Sequence, residues 1–382
     1  MKRMAFLALL VGTTGFSSEY IVKIKSHMKS DLKLNSFGAS KDLNLSHGDF
    51  ALLTTSNKAN IEALKNNPAV EYIEPNYTYT KFDAPTDADF SRQWGLNNDG
   101  ANSGSWWSRG TVGVDVSALE AWKISKGSND IKIAVIDTGV DYNHEDLKNN
   151  IMVNELELNG EAGVDDDGNG FVDDIYGYDF ANDDADPMDG HGHGTHCAGV
   201  IGAEHNSVGI AGINANVKIL PIKFLKDSGG GTLEGALKAI DYAVLRGVNI
   251  MSNSWGGGGR SQALFDAIEN AEKAGIAFIA AAGNSNADND TKETYPANYK
   301  VSNVISVGAL DGKGKRASFS NYGKKTVHVF APGVDIYSTV QDDKYKKMSG
   351  TSMACPHVAG VAGLLLAHEP NLTFTEMKER LM

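Results

Sequence analysis

Apolar and polar residues alternate with period two over Tyr20-Ile-Val-Lys-Ile-Lys25, and Phe50-Ala-Leu-Leu-Thr54 is a short apolar run, so two strands are predicted there. Residues 56–66 carry Ile61 and Leu64 on one face of a helix, with Ser56 as N-cap and Asn67-Pro68 as the stop. Residues 69–76 read as another strand, ending at a proline. Together these pieces make a small α+β unit over residues 18–80, near the lower size limit for independent stability. Residues 81–92 mix Pro, Asp, Thr and Ala without periodicity. That is a linker, and exposed linkers are where proteolysis concentrates.

From residue 93 onward the period changes. Residues 131–136, 217–222, 248–252, 276–281 and 304–307 are short β-branched runs that read as buried strands. Helical patterns lie between them, over 232–245, with Leu233, Leu237, Ile240, Ala243 and Val244 on one face, and over 262–274. This alternation predicts an α/β fold, a mostly parallel sheet with helices on both faces, spanning residues 93–382. Functional residues of such sheets gather at the carboxyl ends of the strands. At the other end of the chain, Lys2 and Arg3 precede an apolar run over residues 4–11 and then small polar residues. That order predicts a secretory signal peptide over residues 1–17, and with it an extracellular or periplasmic destination. The run is shorter than the roughly 20 residues a spanning helix needs, so no membrane anchor is expected.

Of the 382 residues 41% are hydrophobic and 22% charged, which excludes a disordered or fibrous chain. The 48 acidic residues outnumber the 35 basic ones, and the net charge of −13 argues against a nucleic-acid partner. Residues 151–190 hold 13 acidic residues and no Lys or Arg, so that segment carries the whole excess. Within it, Asp165, Asp167 and Asn169 occupy positions 1, 3 and 5 of an EF-hand-like loop, with Gly170 at 6, the Phe171 carbonyl at 7 and Asp173 at 9. Position 12 is Tyr176, so the usual closing glutamate is missing and Asp174 is the nearest substitute. A structural Ca²⁺ is the expected occupant, because clustered carboxylates repel one another without a cation. No organic cofactor is expected.

Three further segments carry nucleophile and acid–base chemistry. The first strand ends in Asp137-Thr-Gly139. Gly190-His-Gly-His-Gly-Thr-His-Cys-Ala-Gly199 places histidines among glycines ahead of a helix, and Ser349-Gly-Thr-Ser-Met-Ala-Cys-Pro-His-Val-Ala-Gly360 places Ser352 near the start of an apolar one. Taken singly, the aspartate reads as a loop cap and the serine as an N-cap. Zinc is the competing reading of the histidines, but no Cys-x-x-Cys or acidic ligand set stands at zinc spacing nearby. The three segments together, in the order Asp, His, Ser, point to acyl transfer by an activated serine.

On these motifs, and over most of residues 93–382, the chain resembles the subtilisin family of serine proteases. The resemblance implies Ser352 as nucleophile, His193 as general base and acid, and Asp137 as the group that orients the imidazole. His191 and His196 are then structural. It also implies the Asn284 amide and the Ser352 backbone N–H as donors to the oxyanion, although an asparagine after Gly283 otherwise reads as a turn residue. Ser254, Trp255 and Gly256 would pair with an extended substrate along one edge, Gly229 and Gly230 along the other. Ala280, Ala281 and Ala282 would wall the pocket for the residue before the scissile bond, with a preference for large apolar side chains. By the same resemblance Asp146, Asn206 and the Val208 and Ile210 carbonyls hold a second calcium.

The small unit resembles the family's inhibitory propeptide, cut off within residues 81–92, so the expected partners are protein or peptide substrates and the chain's own propeptide. A monomer is expected. Members usually continue for a further strand and helix beyond the point where this chain stops, which leaves a truncated C-terminus open. A few relatives carry a cysteine beside the histidine, so Cys197 and Cys355 are expected as buried thiols, with a disulfide between them left open. The alternative is an inactive peptide-binding protein of the same fold, which would not require Asp137, His193, Asn284 and Ser352 together. Serine carboxyl proteases of related fold use a glutamate in place of His193, which argues against that reading.

Overall fold

The computed structural model describes residues 18–76, 84–101 and 109–382. Residues 1–17, where a signal peptide is expected, and the first residues of the linker lie outside them. The chain divides into two compact units, residues 1–82 and 83–382.

In the first unit, β1 (Ser18–Ile24), β2 (Ala39–Asp42), β3 (Asp49–Thr55), α1 (Lys58–Lys65) and β4 (Val70–Pro75) form an antiparallel sheet of order β2-β3-β1-β4 with one helix. Val22, Leu53 and Leu64 are fully buried between sheet and helix, Ile61 nearly so. The helix starts one residue later than the pattern predicts. Its cap is Asn57, not Ser56, and the Asn57 side chain accepts the Ala59 N–H at 2.9 Å. The edge strand β2 escapes prediction because Ala-Ser-Lys-Asp has no buried side chain.

The second unit runs α2 (Ala118–Ala121), β5 (Gly127–Asp137), α3 (Glu155–Leu158), β6 (Tyr178–Asp179), α4 (His193–Gly202), β7 (Asn216–Lys223), α5 (Leu233–Leu245), β8 (Ile250–Asn253), α6 (Gln262–Lys273), β9 (Ala277–Ala281), β10 (Val304–Leu310), β11 (Val329–Pro332), a hairpin of β12 (Ile336–Val340) and β13 (Lys344–Met348), α7 (Thr351–His368) and α8 (Phe374–Leu381). Seven strands pair in parallel in the order β11-β10-β9-β8-β5-β7-β6. This is the α/β architecture that the alternation of patterns predicts.

Period-two alternation in β5 divides its side chains between two cores. Ile133 and Val135 pack with Ile201 of α4 and Ala354 and Ala359 of α7, whereas Ala134 and Ile136 pack with Ala239 of α5 and Ile268 of α6. Helix α7 is buried on nearly every face, which an amphipathic pattern does not describe and an all-apolar one does. Strands β6 and β7 extend the sheet on one side of β5 and β8 to β11 on the other. The chain therefore reverses direction at β5, and such a reversal opens a crevice at the carboxyl end of that strand. Among the described residues no helix is long and apolar enough to cross a membrane.

Candidate active site

Asp137 is the last residue of β5 and is fully buried. The turn after it requires glycine: Gly139 has φ +100°, and a Cβ there would lie 2.4 Å from the Pro187 carbonyl oxygen. His193 is the first residue of α4, and Ser352 the second of α7. Three separate elements thus deliver the three side chains to one end of the sheet.

The His193 ring places Nδ1 2.7 Å from Asp137 Oδ1, which also accepts the Thr138 N–H at 2.7 Å. A carboxylate accepts, so the proton sits on Nδ1 and Nε2 is the basic atom. Burial opposes charging this imidazole, but the charge and hydrogen bond of Asp137, with the charge of Asp189, outweigh it and raise its pKa. Burial, the largest cause, pushes the pKa of His196, one turn on, down to about 3, which keeps it neutral at ordinary pH, and its Nε2 donates to the Ile336 carbonyl at 2.9 Å. It therefore has a structural place. His191 is exposed and lines the cleft, its ring centroid 6.2 Å from that of His193.

Ser352 Oγ donates to the Ser254 carbonyl at 3.1 Å, and among the described residues no hydrogen bond joins it to His193. Unliganded sites often hold their catalytic contacts long or misaligned. Asn284 follows β9, and its Oδ1 accepts the Thr351 N–H at 2.8 Å and hydroxyl at 3.1 Å. Among the described residues nothing accepts from its Nδ2. The Ser352 N–H belongs to the first turn of α7, where backbone donors have no helical partner. Both nitrogens lie 3.5 Å from the point where a Gly350 Cβ would be. Two unspent donors thus converge beside the serine.

A cleft of about 840 Å³ contains His193, Ser352 and Asn284 and is lined by Gly229, Gly230, Ser254, Trp255, Gly256 and Ala281. Ala280 and Ala282 are fully buried, Ala280 in the core beneath α5 and α6, so only Ala281 of the three alanines supplies a wall. Strand alternation is the reason. Cys197 and Cys355 are buried free thiols, and Cys197 donates to the Ser352 carbonyl at 3.4 Å. Burial pushes both thiols above their ordinary pKa, which makes them poor nucleophiles.

Asp146 is fully buried, and its Oδ2 accepts the Ile210 N–H at 2.9 Å and the Tyr345 hydroxyl at 3.2 Å. Its Oδ1 has no partner among the described residues, nor has Oδ2 of the buried Asp87, whose Oδ1 takes the Asn206 N–H at 3.1 Å. Burial pushes Asp146 up to about 7 and raises Asp87 as well. Two buried carboxylates with one bare oxygen each, beside Asn206 and the loop of Val208 and Ile210, fit a hard cation such as Ca²⁺. Asp87 escapes sequence reading because it lies far from the loop in the chain.

In the acidic segment, Glu157, Asp165 and Asp167 each bring a carboxylate oxygen within 4.8 Å of the others. Glu157 of α3 is thus the third acid of the cluster, and it also accepts the Asp166, Asp167 and Asp173 N–H groups. Asp174 does not close the loop: it is buried and paired with Arg246 and Tyr242. Asn169 Oδ1 accepts the Phe171 N–H at 2.7 Å, and Asp173 Oδ2 accepts the Gly163 N–H at 2.9 Å. The Asp165 and Asp167 carboxylates accept the Asn169 and Gly170 N–H groups in the same way.

Residues 128–382 match the sequence model of the Subtilase family, Peptidase_S8. A thermophilic serine proteinase of Bacillus sp. (strain AK1) is 39% identical over 362 residues, covering 92% of this chain and 79% of the relative. Subtilisin-like protease 1 of Plasmodium berghei (strain Anka) is 37% identical over 286 residues, and the match covers 69% of this chain but 48% of that protein. Among solved structures, a cold adapted subtilisin-like serine proteinase is similar with a TM-score of 0.56 at 37% identity, over 67% of this chain and 81% of that one.

Proposed function

The chain belongs to the Subtilase family of subtilisin-like serine proteases, and from that premise we propose that it is exported as a self-processing precursor whose Asp137, His193 and Ser352 cleave peptide bonds through an acyl-enzyme. The observation that carries the reading is the 2.7 Å Asp137–His193 contact in the same cleft as Ser352 and two unspent N–H donors.

Each residue then has a defined task. The Ser352 hydroxyl turns from the Ser254 carbonyl toward His193 Nε2 and gives up its proton as Oγ attacks the scissile carbonyl carbon. Asp137 stabilises the resulting imidazolium. The Ser352 N–H and Asn284 Nδ2 receive the oxyanion without reorganising, because they are already fixed by α7 and by Thr351. His193 returns the proton to the leaving amine, and water, activated by the same imidazole, hydrolyses the ester. Residues 18–80 restrain the precursor until the linker over 81–92 is cut.

None of the side chains lining the described cleft is acidic. Peptides with Phe or Leu before the scissile bond should therefore exceed those with Lys in kcat/KM by about tenfold or more. A series of chromogenic peptides tests this, and a preference for Lys or Arg would overturn the specificity assignment.

We assign Ca²⁺ to Asp87, Asp146, Asn206 and the Val208 and Ile210 carbonyls, and a second ion to the cluster of Glu157, Asp165 and Asp167. A cation present at about a hundred times its Kd stabilises the fold by about 2.7 kcal/mol. For a unit of this size, excess chelator is expected to lower Tm by roughly 5–10 °C. Calorimetry with and without added Ca²⁺ checks it, and an unchanged Tm would rule out both sites.

A further inference from the structure

Asp189 is 2% exposed and accepts five hydrogen bonds. Its Oδ1 takes the Thr138 hydroxyl at 2.9 Å, the His191 N–H at 2.9 Å and the Gly192 N–H at 2.8 Å. Its Oδ2 takes the Thr195 N–H at 2.9 Å and the Thr195 hydroxyl at 2.6 Å. Gly192, the N-cap of α4, has no side chain to satisfy the opening N–H groups. Asp189 does so from three residues upstream, and its charge lies at the favourable end of the helix dipole.

The two threonines extend this carboxylate to the other half of the site. Thr138 follows Asp137, and its Oγ1 accepts the Gly194 N–H at 2.9 Å while donating to Asp189. Thr195 Oγ1 accepts the Asp141 N–H at 2.9 Å while donating to Asp189. Both hydroxyls are buried and fully used. Two relays therefore tie the turn that carries Asp137 to the helix start that carries His193.

We propose that Asp189 is a positioning residue of the protease: a second buried carboxylate that fixes the Asp137–His193 pair through Thr138 and Thr195 and adds its negative charge to the field at the imidazole. The inference rests on the triad reading above. An asparagine has the same shape but cannot do this work, because its NH₂ end would face groups that are themselves donors. Asp189 looks like a turn residue in Pro187-Met-Asp-Gly190, so no motif marks it.

Besides Asp189, few charged or titratable groups among the described residues surround His193. Asp137 faces it from β5, His191 from the preceding turn, the neutral His196 and the Cys197 thiol from the next turn of α4, and the Ser352 hydroxyl from α7. Removing the charge of Asp189 therefore lowers the pH at which His193 protonates, and the acid limb of kcat/KM moves down with it.

The test is a pH profile of peptide hydrolysis by the full chain and its Asp189→Asn, Thr138→Val and Thr195→Val variants, with folding checked by circular dichroism and thermal melting. Asp189→Asn is expected to lower kcat on the order of 10- to 100-fold with KM nearly constant, and to move the acid limb down by several tenths of a pH unit. Thr138→Val breaks a relay but keeps the charge, so kcat falls while the acid limb stays. A folded Asp189→Asn chain with wild-type kcat and wild-type acid limb overturns the proposal. If that variant does not fold, wild-type kcat in both threonine variants overturns it instead. A wild-type chain that hydrolyses no peptide sinks the triad reading itself, a different outcome from an active enzyme indifferent to Asp189.

Discussion

Ser352→Ala is expected to reduce kcat for peptide hydrolysis on the order of 10⁶-fold and to leave the precursor uncut. The magnitude is that found when subtilisin loses its own nucleophile. What the geometry contributes is the argument that the variant folds. Among the described residues the hydroxyl makes one hydrogen bond, to the Ser254 carbonyl at 3.1 Å. The contacts that seat the residue use its backbone: the Ser254 hydroxyl donates to the Ser352 carbonyl at 2.8 Å, as does the Cys197 thiol at 3.4 Å. Alanine keeps these and favours the helix. Lost activity would therefore report lost chemistry. Intact mass followed over time separates the possibilities, since self-processing shortens the wild type within residues 81–92 and leaves Ser352→Ala whole. If both shorten, another protease cuts the linker and self-processing is disproved. If neither shortens and the wild type hydrolyses nothing, the chain is an inactive member of its family.

The parts of the fold that could be read in advance are those where burial on both faces imposes composition. Strands β5, β7, β8, β9 and β10 lie inside the parallel sheet, and their continuous apolar runs mark them within a few residues of their ends. The hairpin of β12 and β13 has no such mark. Lys344-Tyr-Lys-Lys-Met348 is largely exposed, and its pairing with β12 depends on tertiary contacts that no local pattern announces. The two-residue β6 is shorter than any period can reveal.

The site divides along the same line. Asp137, His193 and Ser352 sit in glycine-rich motifs because tight turns must present them, so chemistry and backbone geometry leave a joint signature. The roles proposed for Asp87, Glu157 and Asp189 depend on groups brought near by folding, and no spacing rule picks these three out from the other acids of the chain. Glu157 is the clearest case: the loop lacks its closing acid at position 12, and under the proposed calcium assignment a short helix upstream would provide one. A missing ligand was legible, but its replacement was not.

Asn284 joins the two kinds of residue, since its donor role follows from resemblance and its acceptor role only from the structure. Removing it therefore does two things at once. Asn284→Ala takes away Nδ2, and it also strips Oδ1 from the Thr351 N–H and hydroxyl at the start of α7, next to the nucleophile. Leaving that N–H unsatisfied costs about 1–3 kcal/mol on its own. Asn284→Asp separates the effects, because a carboxylate still accepts from Thr351 while presenting an acceptor where the oxyanion needs a donor. Both variants are expected to lose about 10²- to 10³-fold in kcat with KM little changed, the size found when subtilisin loses the corresponding amide. Only Asn284→Ala should also lose Tm. The aspartate sits where negative charge develops, so its loss should equal or exceed that of alanine. If Asn284→Asp instead turned over peptides within about threefold of wild type, the Nδ2 donor would have no part in stabilising the transition state, and the role of Asn284 would reduce to holding the first turn of α7.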